Sequence, residues 1–583
     1  MIHKIEVRIK HHLADARGGG LVKDTLDLGI TGVHAARILE IYWLDGKLTP
    51  EELDIIGKCL LADPITQEYH VGQGSFYEDA ADKKFHSIEV AYNAGVTDPV
   101  EETVMKAVFD LGIDNLRAVR TGKRYILDGQ LSEAEVTTIS ARLLVNPIIQ
   151  HVVTKEVESF PEPPGYRFRL ETVAFFEADD EGLKGIARQF GFSPDEIKAI
   201  SGYFHRIGRN PTDAEVETLA QTWSEHCVHK TFKGKITFGQ TVIDNLLRST
   251  IMKATKELDK PWCLSVFEDN AGVIDFDGNH ALCFKVETHN HPSAVEPYGG
   301  AATGIGGVIR DILGTGLSAK PILNTDVFCF GPPDLPYEEL PVGVLHPRRI
   351  FKGVRAGVAD YANRLGIPTL NGAVLFDECY VANPLVFCGT LGLLPVAMSR
   401  MGKQQPGDKV VLIGGGTGRD GIHGVTFASD KLTDESATAS YTAVQIGNPI
   451  TEKKIIDVLM EAREKKLFRR ITDCGGGGLS SAVGEMAEET GVRVYLDRVH
   501  LKYAGLTYSE IWISESQERM VLAVPPEHVD ELLALCQKAK LEASVIGEFA
   551  NDRRLRLFYQ GNQVCDLEME FLHNGRPQFT GMA

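Results

Sequence analysis

From Lys285 to Pro292 the chain sets a lysine, a glutamate, two histidines and an asparagine at the end of a short apolar run. Read as a strand with a period of two, Leu282, Phe284 and Val286 point one way, and Lys285, Glu287, His289 and His291 point the other. Side chains two apart on one strand face are about 6.5–7 Å apart, close enough to touch different atoms of one ligand. A solvated face is normally built from Lys, Glu and Thr, so two histidines bracketing Asn290 point to a site. Pro292 is expected to end the strand. The stretch that follows, 296–316, reads as a glycine-rich turn whose backbone N–H groups can approach a ligand, leading into a helix that bears Arg310 and Asp311. The guanidinium fork suits phosphate, and Glu287 and Asp311 are hard oxygen ligands suited to Mg²⁺. Together these residues describe a phosphate-and-magnesium site. A zinc site on His289 and His291 is the weaker reading, because no third soft ligand lies nearby.

Other segments carry candidate groups. Thr212 and Glu215 form a capping box that opens a helix with an apolar stripe of Val216, Leu219, Ala220 and Trp223. His226 and Cys227 lie one turn further along, where a histidine is as readily a satisfied core residue as a catalyst. Gly416, Gly418 and Gly421 satisfy G-x-G-x-x-G after an apolar strand, with Asp434 at a tempting distance. A dinucleotide fold needs a helix and a second apolar strand before that acid. The intervening residues lack that run, so a loop shaping a substrate site is the better reading. Gln445, Asp473, Glu515, Ser516 and Gln517 each stand beside a glycine turn or strand edge.

These residues must be positioned by several domains, because 583 residues exceed one core. The first 155 residues hold a repeat: Asp-Leu-Gly-Ile at Asp27 recurs at Asp110, and Leu-Asp-Gly at Leu44 recurs at Leu127, each displaced by 83 residues. Each copy reads as strand, helix, strands, helix, strand, a ferredoxin-like α+β unit whose charged residues are expected on solvated faces. In the second copy, strands are expected at Ile88–Tyr92 and Arg117–Leu127. A helix is expected over Pro99–Leu111, and another after the capping box Ser132-x-x-Glu135. The expected domains are two ferredoxin-like repeats (1–83 and 84–155), a helical linker (156–228), and two mixed α/β blocks (229–395 and 396–583). The formal net charge of −19 argues against a nucleic-acid or anionic-membrane binder. Ten scattered cysteines without a C-x-x-C pair read as reduced thiols. With no long apolar segment, the expectation is a soluble, cytoplasmic protein.

Taken together, the segments 222–227, 285–316, 415–424, 472–481 and 514–519 closely resemble the phosphoribosylformylglycinamidine synthase family, within the aminoimidazole-ribonucleotide-synthetase-like superfamily. The resemblance spans roughly residues 205–575, and the repeats look like two fused copies of that family's small bridging subunit. It implies one synthetase-like N-terminal and one C-terminal domain. It also implies ATP-dependent conversion of formylglycinamide ribonucleotide to its amidine with Mg²⁺, using ammonia from a glutaminase subunit. His289 then resembles the proton acceptor and His226 a second catalytic histidine. Lys285 resembles the ATP-binding lysine, and His229 stands where some members have an ATP-contacting tyrosine. Glu287 resembles the ligand of one Mg²⁺, with Asp311 and Asp473 the ligands of a second. Thr288, Asn290, His291, Arg310, Gln445, Glu515, Ser516 and Gln517 would bind the ribonucleotide. Family synthetases usually contain two related halves, and here each signature occurs once. The expectation is therefore a partner chain carrying the second half, or a homodimer, with an exposed apolar face on the N-terminal domain sheet. A nonenzymatic substrate-binding relic and a relative acting on another small molecule are the alternatives.

Overall fold

The computed structural model describes residues 1–582 except 73–75, 77–84, 94–95, 97, 99, 147–148, 156, 158, 161–164 and 423–446. Among the described residues two compact units emerge, one formed by residues 1–163 with Gly331–Phe351, the other by the remaining described chain. No helix among the described residues is long and apolar enough to cross a membrane. All ten cysteines are free thiols, six of them buried.

In the first unit the repeat is geometric as well as sequential. Strand β1 (Ile2–Ile9), helix α1 (Ala16–Asp27), β2 (Val33–Gly46), α2 (Pro50–Ile56) and β3 (Gln67–Val71) are followed by β4 (Phe85–Tyr92), α3 (Glu101–Asp110), β5 (Leu116–Gly129), α4 (Glu133–Ile139) and β6 (Gln150–Val152). The expected capping box at Ser132 and Glu135 opens α4. Each copy has one continuous 14-residue central strand, and in the second it contains the expected Arg117–Leu127. Those two strands pair antiparallel and join the copies into one sheet, ordered β3-β1-β2-β5-β4-β6. The helices exchange between copies: Leu53 and Ile56 of α2 pack with Val104 and Val108 of α3, while Leu21 of α1 shares a core with Ile139 of α4. One sequence expectation fails here. The charged residues are not all solvated, because Glu6 is fully buried, 3.3 Å from Lys4 Nζ and 2.8 Å from Arg124. Joining the sheets brings Glu6 and its repeat counterpart Glu89 within reach of the same two cations, since Lys4 also lies 3.0 Å from Glu89.

The second unit begins with helices α5 (Asp180–Phe190), α6 (Pro194–Ile207), α7 (Asp213–Thr222) and α8 (Glu225–Val228). The Thr212–Glu215 box caps α7, and Val216, Leu219 and Trp223 form the expected buried stripe. The stripe does not continue as one helix into His226. Trp223 ends α7, and the Ser224 side chain caps the new turn α8 by accepting from Cys227 N at 3.1 Å. These helices share a core with the C-terminal sheet. Trp223 Nε1 donates to Leu572 O at 2.8 Å, and Trp512 Nε1 donates to Thr218 at 3.0 Å.

Next come β7 (Lys235–Phe238), β8 (Thr241–Asp244), α9 (Lys253–Leu258), β9 (Cys263–Ser265), β10 (Gly272–Asp275) and β11 (His280–Thr288). They are followed by α10 (Asn290–Val295), α11 (Pro297–Gly314), β12 (Lys320–Phe330), α12 (Pro347–Leu365), β13 (Thr369–Phe376) and β14 (Leu385–Pro395). The sheet order is β13-β12-β14-β11-β10-β9. Ile274, Phe284, Val286 and Leu375 lie on one face of this sheet, each 37–56% exposed, which is the expected open apolar face. The remaining chain builds a seven-stranded sheet whose first strand after the crossover is β15 (Lys409–Gly414). After β15, Gly418 N bonds Ser516 and Thr417 pairs with Leu501, with no helix in the described residues that follow directly. β15 pairs antiparallel on both sides, where a dinucleotide fold needs parallel neighbours; Asp434 lies outside the described residues.

Replacing Trp223 with Ala should destabilise this unit by about 3–5 kcal/mol, because a large buried ring and its hydrogen bond are lost together. A denaturant titration that moves by much less would show that the linker helices do not share the C-terminal core.

Candidate active site

Strand β11 fixes the first part of the site. Leu282, Phe284 and Val286 face outward on the open side of the sheet, and Lys285 and Glu287 face the helices, as the alternation requires. The strand stops at Thr288, so His291 does not extend the row. His289 precedes a helical turn that starts at Asn290, and Pro292 sits inside that turn, where a missing N–H costs nothing.

The glycine-rich stretch is also not a turn. It is the 18-residue helix α11, and its glycines serve close packing. A Cβ on Gly300 would lie 2.5 Å from the Pro292 backbone, on Gly304 3.1 Å from His289, and on Gly307 3.1 Å from Glu287. The missing side chains let α11 press against β11 and set Arg310 and Asp311 beside its polar row.

A cleft of about 260 Å³ results, lined by Lys285, Glu287, His289, Arg310 and Asp311 from the N-terminal domain, Asp473 and Glu515 from the C-terminal domain, and His226 from the linker. Lys285 Nζ lies 2.9 Å from Asp311 Oδ2, and His289 Nε2 lies 3.1 Å from Glu287 Oε1. Burial and then the Asp473 carboxylate push Asp311 up to about 8. Burial also raises Asp473. Burial opposes ionisation of Glu287, yet His289 and Lys285 outweigh it and hold the carboxyl below its ordinary value. Burial lowers His226, leaving a neutral imidazole able to accept a proton. Two carboxyls that repel each other in a buried cleft, with a lysine on only one side, form an electron-rich oxygen set that fits a hard divalent cation. Among the described residues no three candidate ligands converge closely enough to hold an ion unaided.

Other expected site residues lie around the cleft, not in its lining. Thr288 points to the open sheet face. Asn290 Oδ1 accepts from Val386 N at 2.9 Å, and His291 lies in α10. His229 is the left-handed cap of α8, with φ of 53°. Ser516 bonds Asp420 at 2.7 Å, and Gln517 accepts from Arg310 and donates to Thr303 at 2.6 Å. Gln445 is outside the described residues.

Several groups had no sequence signal. Asn270 donates to Asp473 at 3.1 Å, and Glu485 completes the wall. Behind Arg310 lies a buried network: its guanidinium is 2.9 Å from Glu452, 2.9 Å from Gln517 and 3.7 Å from Glu518. Tyr361 OH bonds both Glu452 and Glu518, the latter at 2.6 Å. Nothing near Tyr361 or Glu452 in sequence marked either as part of Arg310's surroundings.

Burial raises Glu452 to about 7 despite Arg310. Its folded pKa thus exceeds its unfolded value of 4.5, so its contribution to stability is full below about pH 4.5 and is lost as pH rises toward 7. The Glu452→Gln variant should show a flatter fall in urea midpoint between about pH 5 and 7 than the parent. An unchanged slope would mean that Glu452 is ionised throughout.

Known families match the chain in segments. Residues 405–560 match the AIR synthase related protein C-terminal domain, and residues 268–394 match its N-terminal domain. Residues 184–230 match the formylglycinamide ribonucleotide amidotransferase linker domain, and 86–158 match the PurS family of phosphoribosylformylglycinamidine (FGAM) synthase. The phosphoribosylformylglycinamidine synthase subunit PurL of Thermoplasma acidophilum is 44% identical over 408 residues, covering 69% of this chain and 51% of that one. The Pyrococcus abyssi subunit is 41% identical over 384 residues, covering 65% and 50%. A structure of Thermotoga maritima PurL complexed with FGAR matches at 32% identity and a TM-score of 0.52, covering 66% of this chain and 57% of that one. Its complex with ATP matches at 31% and 0.50, covering 65% and 55%. Over the matched residues the chain is homologous to PurL, and it spans about half the length of the curated relatives it matches.

Proposed function

We propose that the chain is the first half of a split phosphoribosylformylglycinamidine synthase, converting formylglycinamide ribonucleotide to its amidine with ATP, Mg²⁺ and ammonia. The observation that carries this reading is the convergence of Lys285, Glu287, His289, Arg310, Asp311 and Asp473 on one cleft. These residues come from segments homologous to a protein whose structures hold FGAR and ATP.

The residues divide the work by chemistry. Lys285 and Arg310 supply fixed positive charge for phosphate groups. Glu287, Asp311 and Asp473 would hold Mg²⁺, which when bound offsets the charge of the triphosphate. The amide oxygen takes the γ-phosphoryl group, ammonia adds to the activated carbon, and phosphate leaves. The incoming nitrogen must shed protons, and His289, oriented by Glu287 3.1 Å away, is placed to accept one. His226, held neutral by burial, is a second acceptor on the same cleft. The repeats, homologous in part to PurS, would dock the glutaminase that supplies ammonia.

The open apolar sheet face supports a partner for the N-terminal domain. A row of Ile274, Phe284, Val286 and Leu375 left to water is costly, and large apolar patches mark interfaces. The occupant is a chain carrying the second synthetase half, or a second copy in its absence.

Turnover is read as ADP release with formylglycinamide ribonucleotide, ATP and ammonium, in the presence of the complementary half. His289→Ala should lower it roughly 10²–10⁴-fold without moving the melting temperature. Near-normal turnover would remove His289 from the mechanism. In sedimentation, the parent should associate through the open face, and Val286→Lys should weaken that association. A parent that stays monomeric both alone and with the complementary half would defeat the assignment of this face.

A further inference from the structure

Gly416, Gly418 and Gly421 follow β15 as a phosphate-binding loop would, yet amides of this loop are spent inside the protein. Gly415 N donates to Glu518 O at 2.9 Å, Thr417 N to His500 O at 2.8 Å, Gly418 N to Ser516 Oγ at 2.9 Å and Arg419 N to Tyr503 OH at 2.8 Å. A cradle for phosphate needs such N–H groups turned toward the ligand. The glycines have another reason. A Cβ on Gly416 would lie 2.9 Å from Lys502 N, a Cβ on Gly418 would lie 2.9 Å from Asp420 Oδ2, and Gly421 takes a left-handed φ of 69°. The loop is thus shaped to bring Asp420 and the 500–503 segment against the turn 514–518.

Asp420 is the centre of that contact. Its Oδ2 accepts from Ser516 Oγ at 2.7 Å and from Lys502 Nζ at 2.6 Å, and its backbone carbonyl accepts from Glu515 N at 3.1 Å. Ser516 Oγ accepts from Gly418 N, so its own proton goes to Asp420, whose carboxylate can only accept. Ser514 Oγ adds a bond to Gly418 O at 2.7 Å, and Arg519 ties Thr417 Oγ1 at 2.8 Å to Ser516 O at 2.7 Å. The turn held in this way reaches the cleft. Glu515 lines it, and Gln517 bonds Arg310 and Thr303, which line it too. Ser516 is fully buried, so what its side chain contributes is position.

We propose that Asp420 is a positioning residue for the ribonucleotide. It fixes the 514–518 turn, so that Glu515, and Arg310 and Thr303 through Gln517, stand where that substrate needs them. A carboxylate on this wall suits ribose hydroxyls and amide N–H groups, whereas it repels a triphosphate. Asp420 is not among the residues that line the cleft, and it acts through Ser516 and Glu515. The role rests on the reaction proposed for the cleft, and its loss should be felt by one substrate and not the other.

The test uses the full chain with the complementary half. It reads ADP release at varied formylglycinamide ribonucleotide and at varied ATP, together with backbone amide exchange over 514–519. Asp420→Ala should raise KM for the ribonucleotide about tenfold or more, the weight of one charge-assisted hydrogen bond, and leave KM for ATP near the parent value. Exchange over 514–519 should quicken, and exchange over β11 should stay as it is. Asp420→Asn keeps the shape and an acceptor for Ser516, so it should restore most of the affinity. If the alanine variant fails to fold, the asparagine variant should show the same selective rise in smaller measure. Equal changes in both KM values, unchanged exchange over 514–519, or an asparagine variant with the full loss of the alanine variant would overturn the proposal. A parent that releases no ADP would instead sink the reaction assigned to the cleft, and the exchange rates would then decide whether Asp420 holds the turn.

Discussion

A β-strand has two faces, and in β11 the usual assignment of those faces is reversed. The charged row Lys285–Glu287 turns toward the helices, and the apolar row Phe284–Val286 is left exposed. Two consequences follow from this one alternation. Charges held inward need partners, and the cleft supplies them in Asp311 and His289. Apolar groups held outward need a cover, and the chain itself provides none among the described residues. The charged cleft and the exposed apolar face are thus opposite sides of one strand, and a shift of register by one residue would destroy both.

The helix that meets this strand is shaped by what it lacks. Were Gly300, Gly304 and Gly307 alanines, α11 would have to retreat from Pro292, His289 and Glu287, and Arg310 and Asp311 would move with it. On the same helix Arg310 is clamped by Glu452 and Gln517 from the C-terminal domain. A fully buried guanidinium is tolerable only where its charge is met. The clamp therefore fixes how the two domains meet, and so the distance between Asp311 on one and Asp473 on the other.

The first unit works by a different logic. Its two copies are bound through their longest strands, so the junction is a continuous sheet and not a flexible tether. Exchange of helices between copies makes each core depend on both. Such a unit presents two similar ends, and among the described residues the α1–α4 end meets the 331–351 segment.

Much of this was legible in the sequence because it is local. The displacement of 83 residues, the capping boxes at Ser132 and Thr212, the alternation over Leu282–Glu287 and the apolar stripe ending in Trp223 all depend on neighbours a few residues apart. The homologous motifs named the polar residues of the cleft for the same reason. Local pattern misread 296–316, since glycines that signal a turn by propensity also permit close helix packing, and only the position of β11 decides between them. It also carried the strand through His291, although Pro292 fits a first helical turn equally well. The partners of Arg310, the Asn270–Asp473 bond and the ion pairs around Glu6 and Glu89 join residues far apart in the chain, up to 208 positions for Arg310 and Glu518, or sheets that meet only on folding. No periodicity records such contacts, so the tertiary structure alone decided which charges were buried and which apolar face was left open.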